Sequence, residues 1–212
     1  MTLWVERAIA RAICGFARTI TGARARWLGC TPTAGPRVYY ANHASHADFV
    51  LVWACLPPDL RDRTRPVAGL DYWSKDAFRR FAAERVFKSV LIDRNPTAHR
   101  SGAIRQMANA LDAGDALIVF PEGTRNTTDA RLLPFKSGIY HLALACPDVE
   151  FVPVWIENLS RVMPKGQIVP VPLLCTLTIG PPIKLDGSES KATFVERARN
   201  ALLALAPAEE RG

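Results

Sequence analysis

Short apolar runs alternate along this chain with segments whose apolar residues recur at helical spacing, and that alternation confines it to an α/β sheet. Residues 38–41, 66–70, 90–92, 116–120, 151–156 and 175–179 read as strands. Between them 49–55, 72–85, 99–113, 137–145 and 191–205 read as helices; Ile104, Met107, Ala108 and Leu111 form one such stripe, closed by Gly114. The expected fold is α/β: a single domain with a mostly parallel, twisted sheet flanked by helices, preceded by an N-terminal amphipathic helix. At 212 residues the chain is long enough for one proper core. The expected divisions are 1–30 for the amphipathic segment, 31–206 for the main domain and 207–212 for a tail. Residues 159–174, rich in Pro and Gly, read as an excursion near the site.

The net charge of +7 is unevenly placed: residues 1–30 hold five arginines against Glu6 alone. Such a surface suits an anionic partner, whether phospholipid headgroups, a phosphorylated cofactor or nucleic acid. Nucleic acid is the weakest of these, because neither a recognition-helix pattern nor an aromatic-basic sheet motif is present. The five cysteines show no CxxC pair, which argues against a disulfide framework or zinc knot and fits reduced cytosolic thiols; Cys55, Cys146 and Cys175 read as small core residues. Arginines interrupt the N-terminal apolar positions, so no cleavable leader is expected, and no uncharged stretch approaches the ~20 residues of a membrane span.

Residues 3–20 carry a stripe. At roughly 100° per residue, Val5, Ile9, Ile13, Phe16 and Ile20 fall within about 80° of one another, with Arg7, Arg11 and Arg18 opposite. Trp4 and Trp27 sit near the two ends, as interfacial indoles do. Two readings stand side by side: a helix docked on the domain, or a basic helix lying in an anionic membrane interface.

Two strings carry the chemistry. Asn42-His43-Ala44-Ser45-His46-Ala47-Asp48 follows the first strand, and Phe120-Pro121-Glu122-Gly123-Thr124-Arg125 ends the 116–120 strand. An aspartate five residues after a histidine, at the start of a helix, can turn back onto the imidazole. It then fixes the tautomer and leaves the other ring nitrogen free to take a proton from a hydroxyl. There is no G-x-S-x-G elbow, phosphate loop or dinucleotide fingerprint, so the base is expected to act on the substrate's own hydroxyl. A metal site from His43, His46 and Asp48 lacks a further ligand cluster, and none is expected.

Taken together, His43-x4-Asp48 and the hexapeptide resemble the glycerophosphate and lysophosphatidic acid acyltransferase superfamily. Ile92-Asp93-Arg94, Pro134-Phe135-Lys136-Ser137-Gly138 and Val152-Pro153-Val154 resemble its other blocks, in family order. The resemblance implies His43 as general base and Asp48 as its orienting partner. It implies Arg94, Arg125 and Lys136 as contacts to the acceptor phosphate, where a planar guanidinium suits a tetrahedral dianion. Glu122, Gly123 and Thr124 would shape the acceptor site, and Pro153 the acyl-donor side. No cofactor is implied beyond a co-substrate, acyl-CoA or acyl-carrier protein; the implied partners are a lysophospholipid and an anionic membrane surface, at its cytoplasmic face. Other lysolipid acceptors and an idle membrane-binding module are the alternatives. The chain departs from the family in three places: Lys88 stands where relatives often have glycine, Gly69-Leu70-Asp71 replaces a common Ala-Lys-x-Glu-Leu, and Asn126 replaces the usual serine.

Overall fold

The structure is a computed structural model that describes residues 3–45, 47–93, 100–158 and 174–208. Seven strands form the sheet: β1 (Arg24–Trp27), β2 (Arg37–Ala41), β3 (Thr64–Gly69), β4 (Val90–Ile92), β5 (Ala116–Val119), β6 (Glu150–Glu157) and β7 (Thr176–Ile179). Their order is β1-β7-β6-β2-β5-β3-β4, and every pairing is parallel except β6 with β7. The expected α/β class and mostly parallel sheet are therefore observed.

Period-two alternation along β2 feeds two cores. Tyr39 and Ala41 pack with residues of α2 (Asp48–Cys55), while Val38 and Tyr40 pack on the opposite face with α6 (Arg100–Asp112), α7 (Gly138–Ala145) and α8 (Lys191–Leu203). A strand covered on both faces needs no polar side chains, hence the uninterrupted Val-Tyr-Tyr-Ala run. The buried Tyr40 hydroxyl donates to the Ala198 carbonyl of α8 at 3.1 Å, which satisfies its one polar atom.

Three features differ from the sequence reading. Residues 24–27, grouped there with the N-terminal helix, form edge strand β1, whose alternating exposure keeps Arg24 and Arg26 in solvent. A short α3 (Pro58–Arg61) follows Pro57. The expected helix over 72–85 is broken into α4 (Leu70–Trp73), α5 (Ala77–Phe81) and a π turn (Ala82–Val86). The break falls at Asp76, whose carboxylate accepts the Arg79 N–H at 2.8 Å and starts a new helix. Most of the excursion at 159–174 lies outside the described residues.

Helix α1 (Leu3–Thr21) docks on α2 and the π turn. Its buried positions are Glu6, Cys14 and Thr21, which at roughly 100° per residue centre about 100° away from the apolar stripe. Arg85 clamps Glu6 at 2.9 Å, and the Arg61 guanidinium donates to Cys14 Sγ at 3.2 Å. Ile9, Ile13 and Ile20 are thus half-covered by the domain. The outward ridge is instead Trp4, Ala8, Ala12 and Phe16, at i+4 spacing, with Arg7, Arg11 and Arg18 beside it. Trp4 is 75% exposed and Phe16 68%. Among the described residues no helix is long and apolar enough to cross a membrane.

Candidate active site

Strands β2 and β5 are parallel neighbours at the centre of the sheet, so their C-terminal ends bring the two strings together. This is where an open α/β sheet presents ligand-binding loops. His43 follows β2 by two residues, and Asp48 opens α2. Asp48 Oδ2 lies 2.8 Å from His43 Nδ1 and also accepts the N–H groups of Ala44 at 2.7 Å and Ser45 at 2.9 Å. With the carboxylate accepting, Nδ1 carries the ring proton and Nε2 offers its lone pair. The Asp48 side chain is 1% exposed and that of His43 17%, so the carboxylate is sealed away while the imidazole keeps an opening. Phe120 stacks on the imidazole at 4.3 Å between centroids and restrains its rotation.

Glu122 lines the cleft and also braces the backbone. Its Oε1 accepts the His43 backbone N–H at 2.7 Å, and its Oε2 accepts the Leu133 N–H at 2.9 Å. Both oxygens of this buried carboxylate are thus taken by backbone. Burial raises its pKa above the ordinary glutamate range, against the lowering effect of those two hydrogen bonds and the nearby imidazole. The Asn126 N–H donates to the His43 carbonyl at 2.6 Å, so the peptide units on both sides of His43 are held by the second string.

Asn42, which the motif reading passes over, is a clamp. Its Nδ2 donates to the Ile156 carbonyl at 3.0 Å and its Oδ1 accepts the Ile156 N–H at 2.7 Å, locking the end of β2 to β6. Asn126 also turns its own loop, accepting from Thr128 and donating to the Ala130 carbonyl. Its replacement of the usual serine leaves the link to His43 intact, because that link is made by backbone.

His43 opens into a cleft of about 400 Å³, lined also by Asp48, Glu122, Arg131, Trp155 and Glu157. The other expected site residues lie elsewhere. Gly123, with φ +71°, and Thr124 are exposed on the turn after Pro121; Arg125 is half-buried beyond them, outside the lining of this cleft. Lys136 is exposed and crosses the same turn, its Cγ 3.2 Å from where a Gly123 Cβ would stand. Pro153 is buried within β6, opposite Tyr40 of β2, and its carbonyl accepts the Gly180 N–H at 2.9 Å; it does not line the cleft. Arg94 and His46 lie outside the described residues.

Parallel strands of an α/β scaffold thus deliver a histidine backed by a buried carboxylate to an open cleft. Residues 28–157 match the Acyltransferase family, and the chain belongs to that family. Among its relatives, the mouse 1-acyl-sn-glycerol-3-phosphate acyltransferase alpha is 27% identical over 204 residues, which is 93% of this chain and 68% of its own length. A 1-acyl-sn-glycerol-3-phosphate acyltransferase of Limnanthes douglasii is 31% identical over 185 residues, covering 82% of this chain and 59% of the relative. The chain thus spans about three-fifths to two-thirds of these relatives. The crystal structure of the 1-acyl-sn-glycerophosphate (LPA) acyltransferase PlsC from Thermotoga maritima shares the fold, with a TM-score of 0.71 at 22% identity over 94% of this chain and 79% of that one.

Proposed function

We propose that this chain moves a fatty acyl group from a thioester, acyl-CoA or acyl-carrier protein, to the free hydroxyl of a lysophospholipid. The names of its relatives favour lysophosphatidic acid as the acceptor and phosphatidic acid as the product. The observation that carries this reading is the 2.8 Å contact between His43 Nδ1 and Asp48 Oδ2 beside an open cleft.

In this reading His43 Nε2 takes the proton of the acceptor hydroxyl as its oxygen attacks the thioester carbonyl. Asp48 stabilises the imidazolium that forms. Collapse of the tetrahedral intermediate breaks the carbon–sulfur bond, and the thiolate leaves with the proton from His43. No covalent bond to the protein is needed. Arg94, Arg125 and Lys136 are assigned to the acceptor phosphate, Gly123 and Thr124 to the acceptor side and Pro153 to the donor side by the resemblance. Glu122 becomes a positioning residue that holds the His43 backbone.

An amphiphilic acceptor requires the site to work at a lipid surface, on the cytoplasmic face in this proposal. The exposed Trp4 and Phe16, with three arginines beside them, support reversible adsorption on anionic lipid, each arginine near the surface contributing about 1 kcal/mol. The test is transfer from labelled acyl-CoA to a panel of lysolipids in anionic vesicles. A phosphatidic acid product supports the reading, a different acylated lipid redirects the acceptor, and vesicle binding without transfer to any lysolipid refutes the enzyme.

A further inference from the structure

Among the described residues the cleft beside His43 is lined by one arginine, Arg131, and not by the motif's Arg125. Arg131 reaches over the Trp155 ring, with its guanidinium carbon 6.0 Å from the ring centroid, and donates to the Pro207 carbonyl of the C-terminal segment. Its neighbours in the chain are firmly held. The Leu133 N–H is bound by Glu122, the same carboxylate that braces the His43 backbone. The Leu132 carbonyl accepts from Arg199 at 3.0 Å, and Leu132 itself is buried. One bracket therefore fixes both the base and the segment that carries Arg131.

Arg37, Arg63, Arg65, Arg79, Arg80, Arg85 and Arg197 each pair with a carboxylate, whereas among the described residues none lies within ion-pair distance of Arg131. A carbonyl takes up only one of its five N–H donors. Of the cleft's carboxylates, Glu122 is held through both oxygens and Asp48 through Oδ2, while Glu157, on the same face of β6 two residues beyond Trp155, lies outside ion-pair distance of Arg131. A half-free guanidinium held over an aromatic face, with Thr127 also lining the cleft, has the donors and the charge to receive a tetrahedral anion.

We infer that Arg131 is the anion-binding residue of this cleft, holding a phosphate of one of the two substrates while His43 works on the hydroxyl. The inference rests on the acyltransferase reading and deepens it. Two phosphates are available, that of the acceptor and that of the donor's pantetheine or nucleotide portion, and the chemistry at Arg131 is common to both.

The test compares wild type with Arg131→Gln and Arg131→Lys. The substrates are oleoyl-CoA with lysophosphatidic acid, or with monooleoylglycerol, which is the same acceptor without its phosphate. Glutamine keeps a donor for the Pro207 carbonyl but removes the charge, and melting curves confirm that the variants fold. The glutamine variant should raise KM for one phosphate-bearing substrate by about tenfold or more, with kcat changed far less; lysine should recover only part of the loss. A rise confined to lysophosphatidic acid, with monooleoylglycerol unaffected, identifies the acceptor phosphate. A rise confined to oleoyl-CoA identifies the donor. If both KM values stay within about twofold of wild type, or kcat alone falls, the inference is overturned. Calorimetric titration with glycerol 3-phosphate and with coenzyme A separates this failure from failure of the enzymatic reading. Binding lost in the glutamine variant, in a wild type that transfers nothing, upholds the anion site and removes the reaction.

Discussion

Glu122 reaches back seventy-nine residues along the chain to hold the backbone N–H of His43 at 2.7 Å. The carboxylate of the second string therefore helps to position the histidine of the first. Its other oxygen holds Leu133, so strand ends and loops from three parts of the chain are tied at one buried group.

Glu122→Gln keeps the size but offers one acceptor for two N–H groups. One buried donor is left unpaired, which costs about 1–3 kcal/mol of stability. Activity should fall chiefly in kcat, because the imidazole is displaced, with KM moved much less. Thermal melts and a kcat–KM comparison check this; a rise in KM at unchanged kcat would make Glu122 a substrate contact instead.

Lys88 adopts φ +50° in the turn before β4, where its carbonyl accepts from Arg65 at 2.6 Å. That is left-handed backbone, which costs an L residue roughly 1–2 kcal/mol and glycine little. Lys88→Gly should raise stability by up to about 1 kcal/mol after the added chain entropy is deducted, read as an increase in Tm.

The rotation of α1 separates two kinds of substitution. Cys14→Lys buries an ammonium beneath α1 beside the Arg61 guanidinium, 3.2 Å from Cys14 Sγ, and should lower Tm sharply. Trp4→Ser with Phe16→Ser should leave Tm nearly unchanged and weaken adsorption to anionic vesicles, since each large apolar side chain contributes about 1.5–3 kcal/mol when fully buried. Vesicle co-sedimentation that is unaltered by the double change would move the membrane contact off this ridge.

Burial pushes the Cys55 and Cys175 thiols up to about 11. At pH 8 both should react with thiol reagents far more slowly in the folded protein than after unfolding. The native state holds these protons more tightly than the unfolded chain, whose thiols titrate near 9.0. Their contribution to stability is thus fully present below pH 9 and is lost as pH rises through about 11. Denaturant melts across that window measure it.

Much of the fold is legible because apolar runs such as Val38–Ala41 are short, uninterrupted and bounded by polar turns. β1 is not, because Arg24-Ala25-Arg26-Trp27 is, among the described residues, an edge strand paired on one side only, and its alternation reads as part of a basic helix. The antiparallel run of β7 is hidden for a different reason: strand direction depends on how the 159–173 connection returns, and local pattern carries no such information. In the site, His43 and Asp48 are near neighbours in sequence and their pairing is visible. Asn42 and Arg131 act on Ile156 and Trp155, more than twenty residues away on β6, and no local spacing reveals them. The apolar stripe of α1 was legible too, but which arc of the helix is covered depends on Arg85 and α2, which only the fold brings there.

The central claim is that His43, oriented by Asp48, is the base for the acceptor hydroxyl, and His43→Ala tests it most directly. Initial rates of acyl transfer from oleoyl-CoA to lysophosphatidic acid should fall in kcat by about 10²–10⁴-fold, with Tm close to that of wild type. A folded His43→Ala protein that turns over at a near wild-type kcat would contradict it.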